Sequence, residues 1–155
     1  MADRSDMIVR YFTYLVDDYG YHLAEKSFDP DTMGNAYVVF RSPALGIQVA
    51  IDRNYVQVRV GQASDRRWDW FDLADILTHY APEIGSPYID PEKTSENTWD
   101  GVIEQQLRHL SGLLREHCDS VLREQSLPKE EIKRIEDARV EQKYGRFMRK
   151  PPKAG

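Results

Sequence analysis

The sequence contains a single cysteine, Cys118, and no long apolar run. One cysteine excludes a disulfide within the chain and agrees with a reducing compartment. No stretch approaches the roughly 18 apolar residues that a membrane-spanning helix needs. The opening residues MADRSDM are polar and acidic, whereas a secretory signal is basic and then apolar. These features predict a cytoplasmic protein that does not enter a membrane.

The sequence also lacks the short motifs of the common enzyme classes. It has no HExxH or CxxC motif, no GxSxG nucleophile elbow and no glycine-rich phosphate loop. We therefore expect no metal and no other cofactor. The absence of these motifs does not exclude an enzyme, but it favours a non-enzymatic function.

One histidine lies at a spacing that suits acid–base chemistry. His79 follows Asp75 by four residues, so both side chains occupy one face of a predicted helix, with Trp70 nearby. A carboxylate and an imidazole so placed serve as an acid–base pair or as two metal ligands. A surface ion pair near a helix end is the ordinary alternative. A small enzyme or ligand-binding domain with a site near Asp75 and His79 is therefore the second hypothesis for function.

The run His117-Cys118-Asp119 resembles a nucleophile beside its base. Adjacent residues of a helix point about 100° apart, however, so the thiol and the imidazole do not address one substrate unless the helix breaks. The sequence favours a structural thiol.

The net charge of −5 is distributed unevenly along the chain. From Arg139 onward six bases stand against Glu141, a net of +5, so the preceding 138 residues carry −10. An acidic body disfavours a nucleic-acid backbone and favours a basic partner. The basic C-terminal segment, with Phe147 among its bases, leaves a nucleic-acid contact as a weaker alternative.

The stretch from Ala36 to Gly61 alternates apolar and polar residues, and the rest of the chain is organised around it. Period-two alternation predicts strands with one buried face, and Asp52-Arg53-Asn54 is suited to a tight hairpin turn. Because a small sheet does not bury that face by itself, helices must cover it. The predicted inward residues of the second and third of these strands are Ile47, Val49, Ile51, Val56, Val58 and Val60.

Helical spacing and turn residues place the other elements. We predict an α+β fold with an N-terminal helix, a four-stranded antiparallel meander, helices packed on one face and a helical C-terminal extension. Residues 1–125 form a single α+β domain in this interpretation, and residues 126–155 form the extension with its basic tail. The predicted elements outside the central strands are a helix from about Asp6 to Tyr19, a strand Tyr21–Phe28, a short helix from about Asp69 that ends before Pro82, a long helix from Thr98 to about Gln125 that covers the sheet, and a helix from Lys129 to about Tyr144.

Three aspartates predict one candidate surface for a partner. Asp69, Asp72 and Asp75 recur every three residues along the predicted short helix. Such an acidic line suits lysines or arginines of a partner, with Trp68 or Trp70 as an aromatic anchor. The ordinary alternative is a solvated helix face over a core tryptophan, because Trp70, Leu73 and Ile76 share one face of the predicted helix.

The polar face of the sheet predicts a second candidate surface. If no helix hides it, this is the first place to look for a partner. Its residues are Gln48, Asp52, Tyr55, Gln57 and Arg59.

The opening YLVDDYGYHL, the strands that follow and the segment WDWFDLADIL resemble small uncharacterised bacterial proteins, some of which look like immunity proteins of polymorphic toxin systems. The resemblance covers about half the chain, from Tyr11 to Leu77, and its motifs are mostly those that make the fold. The helical extension after Pro128 departs from that compact pattern. The resemblance implies a non-enzymatic protein that binds another protein and carries over no functional residue.

Overall fold

A computed structural model of the chain describes residues 2–148, with side chains as far as Tyr144, and shows an α+β fold. One antiparallel sheet has its five strands in chain order, which is a meander. No helix in residues 2–148 has the length and apolar character needed to cross a membrane. The strands are β1 His22–Asp29, β2 Asn35–Arg41, β3 Leu45–Asp52, β4 Tyr55–Gln62 and β5 Phe71–Asp72; the helices are α1 Arg4–Phe12, α2 Tyr14–Asp17, α3 Leu73–Tyr80, α4 Trp99–His117, α5 Asp119–Glu124 and α6 Lys129–Met148.

Strands β3 and β4 follow the apolar–polar alternation of the sequence, and β2 adds Ala36, Val38 and Phe40 to the same face. Their inward side chains are buried against the helices, so the predicted buried face is confirmed. A two-residue turn joins β3 to β4, with positive φ at both Arg53 (51°) and Asn54 (69°). Positive φ at both positions is the conformation of the hairpin turn whose twist matches that of the strands.

The sheet has five strands, where the sequence predicted four. The additional strand, β5, contains two residues, which pair as Val60 with Phe71 and Arg59 with Asp72. Two residues are too few to show a period, so this segment resembled the start of the following helix. The helix α3 begins later than predicted, at Leu73, with Asp72 as its N-cap.

Three helices share the cover of the sheet, although the sequence assigned most of it to one. Ile8 and Phe12 of α1 are fully buried, as are Leu73 of α3 and Leu107 of α4. All four belong to one apolar core with the inward residues of the strands. The inner face of the sheet is therefore closed by α1, α3 and α4 together.

Two predicted helices are interrupted. The first divides at Thr13 into α1 and α2, and the long helix divides at Cys118 into α4 and α5. Cys118 has φ −114° and ψ 19°, and its backbone N–H donates a hydrogen bond to the carbonyl of Leu114 at 3.0 Å. This turn redirects the chain so that Leu122 enters the core.

The first half of α6 packs against the domain. Ile132 is fully buried, and Arg139 forms two hydrogen bonds with Asp75 of α3. From Val140 to Tyr144 the helix is exposed. The division into residues 1–125 and 126–155 as separate units stays a prediction.

Candidate interaction site on the outer face of the sheet

The outer face of the sheet is the one that points away from α1, α3 and α4. Strands β1 to β4 present alternate side chains there, and the strand register arranges them in rows across the sheet. The rows are Asp29, Asn35, Asp52 and Tyr55; then Ser27, Tyr37, Ala50 and Gln57; then Glu25, Val39, Gln48 and Arg59; and finally His22, Arg41, Gly46 and Gly61.

Trp70 closes one end of this face. Its ring lies over the paired glycines Gly46 and Gly61, where an added Cβ at either position would overlap the ring. The indole N–H donates to the carbonyl of Gln62 at 3.0 Å, and the guanidinium carbon of Arg41 is 5.3 Å from the ring centroid. Trp70 is consequently 2% exposed, although it lies outside the main core.

Arg67 crosses the adjoining part of the face, where its guanidinium pairs with Glu25 and lies 5.9 Å from the ring centroid of Tyr37. Val39 is fully buried there although it points outward.

The part of the outer face nearer the β3–β4 hairpin is open and concave. A concavity of about 530 Å³ lies beside β4, and a second of about 270 Å³ lies over β1 and β2. Both are lined by Ala50, whose small side chain leaves room between the larger residues of its row. We name this feature the cross-sheet groove, and its main residues are Ser27, Tyr37, Ala50, Gln57 and Tyr88.

Asp72 fixes two residues of the cross-sheet groove. Its carboxylate accepts hydrogen bonds from the hydroxyl of Tyr88 at 2.6 Å and from the carboxamide of Gln57 at 2.8 Å. It also caps α3 by accepting from the backbone N–H of Ala74 at 2.8 Å. Burial, and then the Asp72 charge, raise the pKa of Tyr88, so its hydroxyl stays a donor. One carboxylate thus connects the loop that contains Tyr88, strand β4 and helix α3.

Gln106 of α4 closes the edge of β4 that β5 leaves uncovered. Its side-chain oxygen accepts from the N–H of Val56 at 3.0 Å, and its NH₂ donates to the carbonyl of Asn54 at 2.8 Å. A carboxamide offers the same donor and acceptor as a peptide group, so it takes the place of a neighbouring strand. Gln106 also lines the larger concavity.

The three predicted aspartates do not form one line on a helix. Asp69 is exposed in a short 3₁₀ turn, whereas Asp72 is the capping residue described above. Asp75 is 1% exposed and accepts from Arg139 Nε at 2.8 Å and from Nη2 at 2.9 Å. Two of the three carboxylates are therefore engaged within the protein.

The two predicted tryptophan anchors differ in exposure. Trp68 is 70% exposed and carries the guanidinium of Arg66 over its ring at 5.4 Å. Trp70 is buried on the outer face, not on the core side of α3 where the helical spacing placed it. A role of Trp68 or Asp69 in binding a partner stays a prediction.

Asp75, His79 and Trp70 do not converge on one site. His79 is exposed, and its ring meets Tyr80 edge-on with centroids 4.7 Å apart. Asp75 faces α6, whereas Trp70 lies on the outer face of the sheet, on the opposite side from α3. The geometry gives the predicted acid–base pair no shared cavity.

Cys118 is a buried thiol, as the sequence favoured. Burial raises its pKa to about 12, so it is protonated at neutral pH. Asp119 accepts from the hydroxyl of Tyr19 at 2.5 Å and from Arg123 Nε at 3.0 Å. These bonds, that from Tyr19 first, lower the pKa of Asp119.

Gln57 and Arg59 lie on the outer face, as their strand positions predicted. Tyr88 was missed because it lies in an aperiodic loop, although an aromatic residue between Pro87 and Pro91 was a visible signal of a packed segment. The basic segment Arg146–Gly155 falls outside the described side chains. Within residues 2–148 no three His, Cys, Asp or Glu side chains are grouped to hold a metal ion.

Comparisons of the chain with protein-family models, curated proteins and solved structures find no match.

Proposed function

We propose that this protein acts by binding another protein through the outer face of its sheet. The observation that carries the proposal is the one-sided arrangement of the fold, in which α1, α3 and α4 all pack on the inner face. The part of the outer face nearer the β3–β4 hairpin is left open, with tyrosine, glutamine and alanine side chains around two adjoining concavities. Tyrosines on a rigid surface are frequent anchors in protein interfaces.

An inhibitor of the immunity type is the form of this function that we favour. The resemblance of the segment Tyr11–Leu77 to immunity-like proteins supports it. The charge of −10 on the first 138 residues also supports it, because an acidic protein attracts a basic target at long range. The surface that meets the target differs from the acidic line first considered, since Asp72 and Asp75 are occupied internally.

Capture of the partner by matched variants tests this function. Ala50→Tyr fills the cross-sheet groove, and Gln48→Arg places a long side chain in its smaller concavity without changing a buried residue. His109→Tyr, on the exposed side of α4, is the control. We expect the protein captured by the wild type to be retained by the control and lost by both groove variants, each checked for folding by circular dichroism.

Growth provides the test of the immunity form. The captured protein, or the product of the gene next to this one, is expressed in a bacterial host with and without this chain. We expect growth to stop with the partner alone and to recover with the wild-type chain but not with Gln48→Arg. Capture that is equal for the control and both groove variants would contradict the outer face as the binding surface.

A further inference from the structure

The larger concavity of the cross-sheet groove has a composition that selects one kind of side chain. It contains two tyrosines, Tyr55 and Tyr88, a carboxylate, Asp52, and two carboxamides, Gln57 and Gln106. Its volume of about 530 Å³ accommodates a large side chain together with part of its backbone. The other lining residues are Ala50, Val56 and Arg53.

Tyr55 and Asp52 are the available groups of this concavity. They form a direct cross-strand pair at the hairpin end of β3 and β4. Tyr55 is 54% exposed, and Asp52 is exposed with one hydrogen bond, accepted from the carboxamide of Asn35 at 3.2 Å. No lysine or arginine forms an ion pair with Asp52 in the described part of the chain.

Tyr88 and Gln57 form the fixed wall. Both are hydrogen-bonded to Asp72, which holds the phenol and the carboxamide in place before a ligand arrives. A wall that is already ordered loses little conformational entropy on binding. The carboxamide oxygen of Gln57 remains an acceptor, because only its NH₂ is used by Asp72.

We propose that this concavity receives an arginine side chain of the partner protein, an inference that rests on the proposed function. A guanidinium stacks on tyrosine rings through its flat face and donates to carboxylate and carboxamide oxygens through its edge. Lysine offers a more strongly hydrated point charge without the planar face, so it fits the two tyrosines less well. The charge of Asp52 and the acidic body both complement a cation.

Substitution of Arg53 tests whether the ligand of this concavity is positively charged. Arg53 lines the concavity, at the tip of the hairpin, and is exposed. A like charge near the site weakens the binding of a cation, so its removal strengthens binding. A ligand held by the aromatic surface alone would be unaffected by either Asp52 or Arg53.

Titration with short peptides tests the proposal without the partner. Isotope-labelled protein is titrated with acetyl-Gly-Arg-Gly-amide, and with the lysine and glutamate peptides of the same design, while amide chemical shifts are recorded. We expect the arginine peptide to shift the amides of Ala50 to Gln57 and of Tyr88, and to bind more tightly than the lysine peptide. The glutamate peptide should leave these amides unchanged.

The variants give the expected magnitudes. Asp52→Asn should weaken the arginine peptide about two- to fivefold, and Arg53→Gln should strengthen it by a similar factor. Tyr55→Ala should weaken it about two- to fivefold through the lost ring. Glu116→Gln, an exposed carboxylate at the end of α4, is the charge control and should leave affinity unchanged.

Two outcomes would overturn the inference: shifts that are equal for arginine and lysine and scattered over the acidic surface, or no shift in the cross-sheet groove at millimolar peptide. If partner capture still depended on Ala50 and Gln48 in either case, the proposed function would stand and the arginine assignment alone would fall. If the peptide bound as expected but both groove variants still captured the partner, the outer-face proposal would fall instead.

Discussion

At the scale of single residues, Trp70 determines how much of the outer face is available. Its ring needs the space above both Gly46 and Gly61, which face each other on β3 and β4. Glycine in a strand interior weakens the strand and often marks a close approach of another group. Here the approaching group is an indole, which covers the end of the face. Arg67 covers the adjoining part by pairing with Glu25, and the cross-sheet groove is the part that stays open.

Substitution of Gly61 tests this packing. Gly61→Ala places a Cβ against the indole, so either Trp70 or the strand must shift, and we expect a loss of about 1–3 kcal/mol in the free energy of unfolding. Gly112→Ala is the matched control, because nothing lies within 4 Å of its added Cβ on the exposed side of α4. A helical glycine replaced by alanine should stabilise by about 0.5–1 kcal/mol. Urea unfolding of both variants measures the difference, and equal effects would contradict the packing.

The ion pair between Asp75 and Arg139 yields a second prediction. Asp75 is buried, whereas the side chain of Arg139 is 47% exposed, so loss of the guanidinium leaves a carboxylate without compensation. We expect Arg139→Gln to lower the free energy of unfolding by about 2 kcal/mol, below the range for a fully buried pair because water reaches the arginine. The double variant Asp75→Asn/Arg139→Gln should recover part of this loss. Arg134→Gln, exposed on the same helix, should have almost no effect.

Buried tyrosines make stability fall at high pH. Burial raises the pKa of Tyr21 from 10.0 to about 12. The unfolded chain therefore releases this proton at lower pH than the folded chain, and the stability present below 10.0 is lost as pH rises towards 12. Tyr21→Phe should lose less stability over this window, although it costs about 1 kcal/mol at neutral pH because the carbonyl of Leu122 loses its donor. Unfolding curves across the alkaline range measure both effects, and an unchanged alkaline slope would contradict the assignment.

At the scale of elements, β3 and β4 were predictable because apolar and polar residues alternate along each of them, whereas β2 carries the apolar Val39 on its outer side. Trp70 was placed wrongly because its spacing from Leu73 and Ile76 fits a helix, while its burial depends on two glycines in distant strands. No local pattern contains that information. The outward residues Gln57 and Arg59 could be assigned from strand parity, but the partners of Asp75 and the position of Tyr88 required tertiary structure.

The part of the β4 edge that Gln106 closes leads to a prediction about stability and hydrogen exchange. Gln106→Ala leaves the N–H of Val56 and the carbonyl of Asn54 without their partner, which should cost about 1–3 kcal/mol. The neighbouring Gln105→Ala is the control, because its side-chain oxygen has no hydrogen-bond partner in the described part of the chain. Hydrogen exchange should accelerate at Val56 in the first variant only. Equal exchange at Val56 in the two variants would show that the edge is closed by other groups.

At the scale of the whole molecule, the proposed function gives charge and shape separate roles. The acidic charge is spread over helices, turns and the long loop, and several of its carboxylates are paired, as Asp18 is with Arg115 and Asp65 with Lys129. Such a field attracts a basic partner from a distance but does not define where it lands. In the proposed function, the side of the sheet that the helices leave uncovered determines where the partner binds, and the cross-sheet groove provides the contacts.

The most direct test of this account is site-specific photo-crosslinking in cells that make the protein. A benzophenone amino acid replaces Gln48, in the middle of the outer face, or His109, on the exposed side of α4. The account predicts that the probe at position 48 crosslinks to one defined protein and that the probe at position 109 does not. Crosslinking of that protein from position 109 alone would contradict the assignment of the outer face as the binding surface.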